Sequence, residues 1–362
     1  MGHYFWQENE TLSIIRSLNN DHLIKPIASF QYKGEQHGSF LFPWAKGGNL
    51  RELWATEETR PLHNKEMMCW VMKQLCGLCH ALSILHETNH RHGDLKPENI
   101  LLFDEGGYKG TLRIADVGLA KFHEPSTQER IDLNQASRTM TGTTRYVSPE
   151  FIHRKLAIPR VFDVWALGCV FLEFLIWTLY GNRVLQEFYR LNFLHFWEET
   201  APAGFAVHSV IQPWINNMSQ SLAETNTAVA SLLDVIKTMM PVPNAVDRSE
   251  SSAVYRSMCQ IYERALEDDS YAFNSSVWDR VQMRAMQSHR SSGTSLNVPR
   301  SSLRAGAQLP QHEDSNTESQ FPNIPIVIET PDDNNNARSG MTTASTSAQI
   351  AQEVSQPTHA VL

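Results

Sequence analysis

The sequence is short of several things, and each shortage excludes a class of protein. Its 362 residues hold five cysteines, an odd number in a long chain. No disulfide framework is expected, and a reducing compartment is. No block of Lys and Arg stands out, and the formal net charge is -8. That balance argues against a general nucleic-acid binder. The N-terminus, Met1-Gly2-His3-Tyr4-Phe5-Trp6-Gln7-Glu8, has no basic region leading into an apolar core, so no signal peptide is read there. The longest apolar stretch, Val161 to Tyr180, is interrupted by Asp163 and Glu173. It is short for a membrane span and reads as a buried helix. No internal repeat is found. The expected setting is therefore intracellular, cytoplasmic or nuclear, with no membrane and no nucleic acid.

What is present is enough to fold. A hydrophobic fraction of 41% supports a sizeable core, and the length allows one large domain with a tail, or two domains. Leu12, Ile15 and Leu18 recur at helical spacing, with a stop near Asn19-Asn20-Asp21. Two short strands are expected at Ile24 to Tyr32 and Ser39 to Phe42, joined by a turn at Lys33-Gly34-Glu35. Gly47-Gly48-Asn49 breaks the chain before a short helix near Leu50. Glu66 to His86 reads as a long amphipathic helix. Ile100 to Phe103 and Thr111 to Ile114 read as a hairpin around Glu105-Gly106-Gly107. Asp116 to Glu150, polar and rich in Ser and Thr, reads as a long loop. Further helices are expected at Val161 to Tyr180, Leu185 to Glu199, Leu232 to Met240 and Ala253 to Leu266. After about Asp269 the composition shifts to Ser, Asn, Gln, Thr and Pro with little periodicity, and a disordered tail is expected.

The stretch that carries chemistry is His92-Gly93-Asp94-Leu95-Lys96-Pro97-Glu98-Asn99-Ile100-Leu101-Leu102. Asp94 could accept a proton from an attacking hydroxyl. Lys96 could neutralise charge on a transferring phosphoryl group. Asn99 offers a neutral oxygen ligand suited to magnesium. The stretch resembles the catalytic loop of eukaryotic-type serine/threonine protein kinases, H-R-D-L-x-x-x-N, with Gly93 in place of the arginine. Other motifs follow in the family's order. Asp116-Val117-Gly118 resembles Asp-Phe-Gly, whose aspartate holds magnesium between the phosphates. Gly142 to Glu150 resembles the end of an activation segment, with Thr143 matching the threonine that bonds the catalytic aspartate and lysine. Asp163-Val164-Trp165-Ala166-Leu167-Gly168 resembles the start of the central lower-lobe helix, where Asp163 would hold the catalytic-loop backbone. Arg248 stands where it could pair with Glu150.

The resemblance implies an α+β, protein-kinase-like fold with a mainly helical lower lobe. Phe42-Pro43-Trp44-Ala45 is similar to the hinge that binds adenine: Phe42 as gatekeeper, backbone bonds from Pro43 and Ala45, and Leu101 as the pocket floor. Glu8 best matches the helix glutamate of the upper lobe by its spacing to Leu12, with Glu10 as the alternative. ATP and Mg²⁺ are the implied cofactors, and protein Ser/Thr hydroxyls the implied substrate. One part of the pattern is missing. No G-x-G-x-x-G strand pair and no V-A-x-K lysine stand upstream of Glu8. The expected domains are therefore a partial upper lobe and hinge at 1–46, a lower lobe at 47–269, and a tail at 270–362. The runner-up reading is a truncated, weakly catalytic scaffold that binds a partner protein. Thr139, Thr141 and then Ser137 are the candidate activating phosphosites, with weak dependence expected because Gly93 offers no guanidinium to a phosphate. In the tail, Ile324-Pro325-Ile326-Val327-Ile328 resembles a SUMO-interacting motif. Cys76 and Cys79, with His86 and His90 beyond, have a spacing too short for a two-Cys, two-His zinc site.

Overall fold

The computed structural model describes residues 9, 12–31, 38–56, 63–104, 109–117, 144–150, 160–191, 193–200, 204–240, 247–281 and 283. The chain divides into compact units at 1–319 and 320–362, and the described residues lie in the first. Helix α1 covers 12–17, strands β1 and β2 Ala28–Gln31 and Gly38–Leu41, and helix α2 Leu50–Ala55. Helix α3, Lys65–Glu87, leads through a one-turn 3-10 segment at Pro97–Asn99 into strands β3, Ile100–Phe103, and β4, Thr111–Ile114. The rest is mainly helical: α4 Val161–Tyr180, α5 Asn182–Arg190, α6 Gln212–Leu222, α7 Ala228–Met239, α8 Ser251–Glu267, α9 Asp269–Ala272 and α10 over 275–281. A small antiparallel pair, β5 Trp197–Thr200 and β6 Gly204–Val207, lies between α5 and α6. This is the expected α+β architecture with a helical lower lobe.

Local chemistry sets several element starts. Asn49 caps α2 through a reciprocal box with Glu52, and Asn64 caps α3 by accepting from the Met67 N–H. Each cap satisfies donors that would otherwise be orphaned at a helix start. The β3–β4 hairpin forms where expected, with Ile100 opposite Ile114 and Phe103 opposite Thr111. It is bonded to α3 by Gln74 Oε1, which accepts from the Leu112 N–H at 2.8 Å, and by Trp70 Nε1, which donates to the Gly110 carbonyl at 2.9 Å.

Helices α3 and α8 run antiparallel, as their paired side chains show. Lys65 pairs with Asp269 just beyond α8, and Cys69 Sγ donates to the Ala265 carbonyl. Cys76 then meets Cys259, His80 stacks on Tyr255, and His86 bonds Ser251. Helix α4 is the centre of the lower lobe. Every residue from Phe162 to Leu179 is buried, so it is apolar on all sides, as an enclosed helix must be. Both α3 and α4 are long and apolar enough to cross a membrane, yet 72% and 94% of their most apolar windows are covered by this protein itself.

The structure corrects four expectations. The strand expected at Ile24 to Tyr32 is split. Leu23 bridges Ile114 on the free edge of β4, while β1 pairs with β2. Pro26 lies between the two, and its missing N–H interrupts a ladder. The helix expected at Leu185 to Glu199 ends at Arg190, and Trp197–Thr200 is a strand. Phe193 and Phe196 are drawn into an aromatic cluster with Phe188, and Trp197 packs on His195 and Phe205, so packing overrides helical spacing there. Helix α6 was not foreseen, although Ile215, Met218 and Leu222 recur at helical spacing after Pro213 in the first turn. Finally, helical structure continues past Asp269: Tyr271, Ala272, Val277, Trp278 and Val281 are all buried.

One packing contact yields a test. A Cβ on Gly168 would lie 2.9 Å from Met239 Cβ and 2.9 Å from Met240 Cγ, so α4 approaches α7 closely only because that position has no side chain. Alanine is the better helix former by about 1 kcal/mol, yet here the clash outweighs propensity. Gly168→Ala is expected to lower unfolding free energy by about 1–3 kcal/mol in urea titration, a sign opposite to that of an exposed helical glycine.

Candidate active site

The loop after α3 is held from beneath by one carboxylate. Asp163, in the first turn of α4 and fully buried, accepts the His92 N–H at 2.8 Å and the Gly93 N–H at 2.7 Å. Its third partner is His86 Nε2 at 3.1 Å, and His86 Nδ1 meets Ser251 Oγ at 2.9 Å. Burial alone would raise the Asp163 pKa, but the His86 bond, with the Gly93 N–H, holds it below the ordinary carboxylate range. Gly93 has φ +81°, a conformation that strains any residue with a Cβ. Glycine at this position therefore fits the turn that Asp163 imposes.

The partners of His92 fix its proton. Nε2 lies 2.7 Å from the Ala115 carbonyl, which can only accept, so Nε2 carries the hydrogen. Nδ1 receives the Asp94 N–H at 3.2 Å, which can only donate. The ring is neutral and ties the loop to the residue before Asp116.

Asp94, Lys96 and Asn99 converge above this support. Lys96 Nζ donates to Asp94 Oδ2 at 2.6 Å, and Asn99 Nδ2 donates to the Asp94 carbonyl at 2.8 Å and to Oδ2 at 3.2 Å. The Asn99 amide nitrogen is committed, which leaves Oδ1 as the atom for a cation. The Ala115 N–H donates to the Asn99 carbonyl at 2.8 Å, so the hairpin sets Asp116 beside Asn99. Asp116 is exposed and has φ +59°, a strained backbone that aspartate tolerates better than most residues. Two oxygen donors of this kind fit a hard cation such as magnesium. Val117, where the family pattern has phenylalanine, is buried in the main core.

The hinge candidates lie along the same hairpin. The Gly47 N–H donates to the Leu102 carbonyl at 3.1 Å, and the Leu102 N–H to the Gly48 carbonyl at 2.8 Å. Ala45 and Leu101 pack together on a small apolar cluster of Ile24, Phe103 and Ala115. Pro43 follows Phe42 in extended, non-strand chain, and β2 ends at Leu41 rather than at Phe42. Phe42 is 36% exposed and is not packed into a core cluster. Glu8 and Thr143 lie outside the described residues, as do Ser137, Thr139, Thr141 and Ile324 to Ile328.

The pairing of Arg248 with Glu150 is bidentate and buried, with Arg248 Nη2 at 2.8 Å from Glu150 Oε2 and Nη1 on Oε1. A buried fork of this kind fixes the end of one segment to the lower lobe. A model of the protein kinase domain matches residues 6–242. The chain belongs to the protein kinase domain family. Serine/threonine-protein kinase PKH3 of Eremothecium gossypii is 30% identical over 189 residues, 51% of this chain and 24% of that protein. Aurora kinase B of Xenopus tropicalis is 41% identical over 99 residues, 27% of this chain and 24% of that protein. The PKH3 kinase of Saccharomyces cerevisiae is 26% identical over 282 residues, 73% of this chain and 29% of that protein. The chain thus spans about a quarter of the length of the curated relatives it matches. For this kinase domain the four cysteine and histidine positions do not converge. Cys76 faces Cys259 and His86 faces Asp163. No cluster of three or more His, Cys, Asp or Glu ligands occurs among the described residues.

A buried polar network beside the loop was not read from the sequence. Glu173, in the middle of α4, accepts from Tyr146 Oη at 2.8 Å and Tyr189 Oη at 3.2 Å, with Arg145 Nε 3.6 Å away. Arg51 Nη2 donates to Tyr146 Oη at 2.9 Å, and its Nε pairs with Glu98 of the catalytic loop. The signal was available: a carboxylate inside a wholly apolar helix needs partners. Burial raises the Glu173 pKa to about 7, against the pull of Arg145 and Arg51.

Two outcomes test these assignments. Asp163→Asn keeps the shape but turns an amide N–H toward backbone donors. It is expected to cost about 1–3 kcal/mol in urea unfolding and to speed amide exchange at His92 and Gly93. For Glu173 the folded state keeps a proton that the unfolded chain releases near its ordinary pKa of about 4.5. Its contribution is thus full below that value and is lost as pH rises through about 7. Relative to wild type, Glu173→Gln should gain melting temperature as pH is raised from 5 to 8.

Proposed function

We propose that this protein is a protein serine/threonine kinase, transferring the γ-phosphate of ATP to Ser/Thr hydroxyls of protein substrates. The observation that carries the reading is the joined loop and hairpin. Asp94, Lys96 and Asn99 share one bonded cluster, and the Asn99 carbonyl holds the segment ending in Asp116. Asp94 orients the substrate hydroxyl and accepts its proton. Lys96 offsets charge on the transferring phosphoryl group. Asn99 and Asp116 would hold Mg²⁺, which when bound neutralises phosphate charge. The adenine lies between Leu101 and the Phe42 to Ala45 hinge, with backbone bonds from Pro43 and Ala45, and Thr143 joins Asp94 and Lys96 from the activation segment. Five free thiols support an intracellular setting, cytoplasmic or nuclear. A tail partner of the SUMO type at Ile324 to Ile328 belongs to the same proposal.

A second reading is a protein-binding scaffold with little turnover. The departures from the family pattern at Gly93 and Val117 are the observations on its side. Magnesium-dependent phosphate transfer from ATP to a generic Ser/Thr protein separates the two, measured on this chain and on one extended upstream in its gene. Under the kinase reading, Asp94→Asn lowers transfer about 100-fold or more while nucleotide still binds. Asp116→Asn weakens magnesium-dependent nucleotide binding. Transfer that is absent from both lengths, or unchanged in Asp94→Asn, favours the scaffold.

A further inference from the structure

Cys76 and Cys259 face each other across the α3–α8 pair. Their sulfurs are 3.1 Å apart, closer than two thiols pack without a hydrogen bond between them. Both are free, Cys76 is 8% exposed, and Cys259 is partly exposed. A disulfide bond is about 2.04 Å long, so an approach of about 1 Å converts the contact into a bond. The contacts on either side keep the two helices in register. Cys69 bonds the Ala265 carbonyl at 3.4 Å, and His80 stacks on Tyr255 with ring centres 4.4 Å apart. The proton-transfer and nucleotide residues above do not involve either cysteine.

We propose that Cys76 and Cys259 are a reversible redox modification site, a disulfide between α3 and α8 formed by peroxide and undone by dithiols. Cys259 is the entry point because it reaches solvent. Its thiolate attacks one peroxide oxygen, the O–O bond breaks, and hydroxide leaves to give the sulfenic acid. The Cys76 sulfur then attacks the Cys259 sulfur. The S–S bond forms, the S–O bond breaks, and the departing hydroxide takes the Cys76 proton as water. The first hydroxide takes up the proton that Cys259 released on ionising, so each sulfur gives up one electron, peroxide gains two, and two waters result. Burial, and then the bond with Cys259, push the Cys76 thiol above the ordinary thiol range, which suits a resolving partner rather than the first site of attack.

The link would close a long segment, because the two cysteines are 183 positions apart in sequence. That segment contains the catalytic loop, Asp116, α4 and Arg248. Tying its ends restricts the unfolded chain far more than a local bridge would. The oxidised protein is therefore expected to melt higher, on the order of 5 °C or more, than the reduced one.

The test uses the full chain, exposed to hydrogen peroxide, alkylated and mapped by mass spectrometry. The expected result is a peptide joining Cys76 to Cys259, loss of two alkylatable thiols, and full reversal by dithiothreitol. Cys259→Ser should form no link and show no rise in melting temperature with peroxide. Cys76→Ser should stop at a dimedone-reactive sulfenic acid on Cys259. The proposal is overturned if all five thiols of the wild type stay alkylatable. It is equally overturned if Cys69 or Cys79 supplies the link, or if peroxide raises the melting temperature of Cys259→Ser as much as that of wild type. Should either variant fail to fold, the wild-type peptide map decides the matter alone.

Discussion

A single buried carboxylate organises the candidate active site. Asp163 is removed from water, which costs several kcal/mol for an unpaired charge. It is repaid by bonds from His92, Gly93 and His86. Those bonds join three parts of the chain that are far apart in sequence: the end of α3, the catalytic loop and the start of α4. Ser251 on α8 adds a fourth through His86. The position of Asp94 is thus set by the core of the lower lobe rather than by the loop's own preferences. Preorganisation of this kind is what phosphoryl transfer asks of a protein, because the chemistry is mostly placement and charge stabilisation.

The loop is then coupled to the segment ending in Asp116 by two contacts. The neutral His92 ring reaches the Ala115 carbonyl, and the Ala115 N–H reaches the Asn99 carbonyl. Both backbone polar groups of Ala115, the residue before Asp116, are therefore bonded. A residue at φ +59° persists only where its surroundings over-determine it, and these bonds supply that restraint. The Glu173 network does the same from the other flank, fastening Glu98 through Arg51 and Tyr146.

Much of this was legible because the signals are local. The β3–β4 hairpin follows from two short strand-length runs flanking a turn, and the break at Gly47-Gly48-Asn49 announces the helix that Asn49 caps. The loop motif placed Asp94, Lys96 and Asn99 together, and Arg248 was matched with Glu150 across 98 positions. What escaped was decided by distant packing. The helix expected through Glu199 stops because Phe193 and Phe196 pack against Phe188, which no window of sequence reveals. The partners of Glu173 come from two other segments, Arg145 with Tyr146 and Tyr189 on α5, so the lone acid in α4 was visible while its company was not. Trp278 is the clearest case at the far end. Amid a polar composition one stacked tryptophan, set against His63, carries the chain past the expected boundary.

The enclosure of α4 also bears on how the chain is made. This helix finds no complete cover until α7 and α8 exist, and α8 ends at Glu267. At synthesis rates of about 5–20 residues per second, the ribosome presents a bare apolar segment for roughly 5–20 seconds before its partners emerge. During that interval it has the length and apolarity of a membrane span. Asp163 and Glu173 are the two charges within it, so the residues that organise the finished site also make the bare helix more costly to place in hydrocarbon.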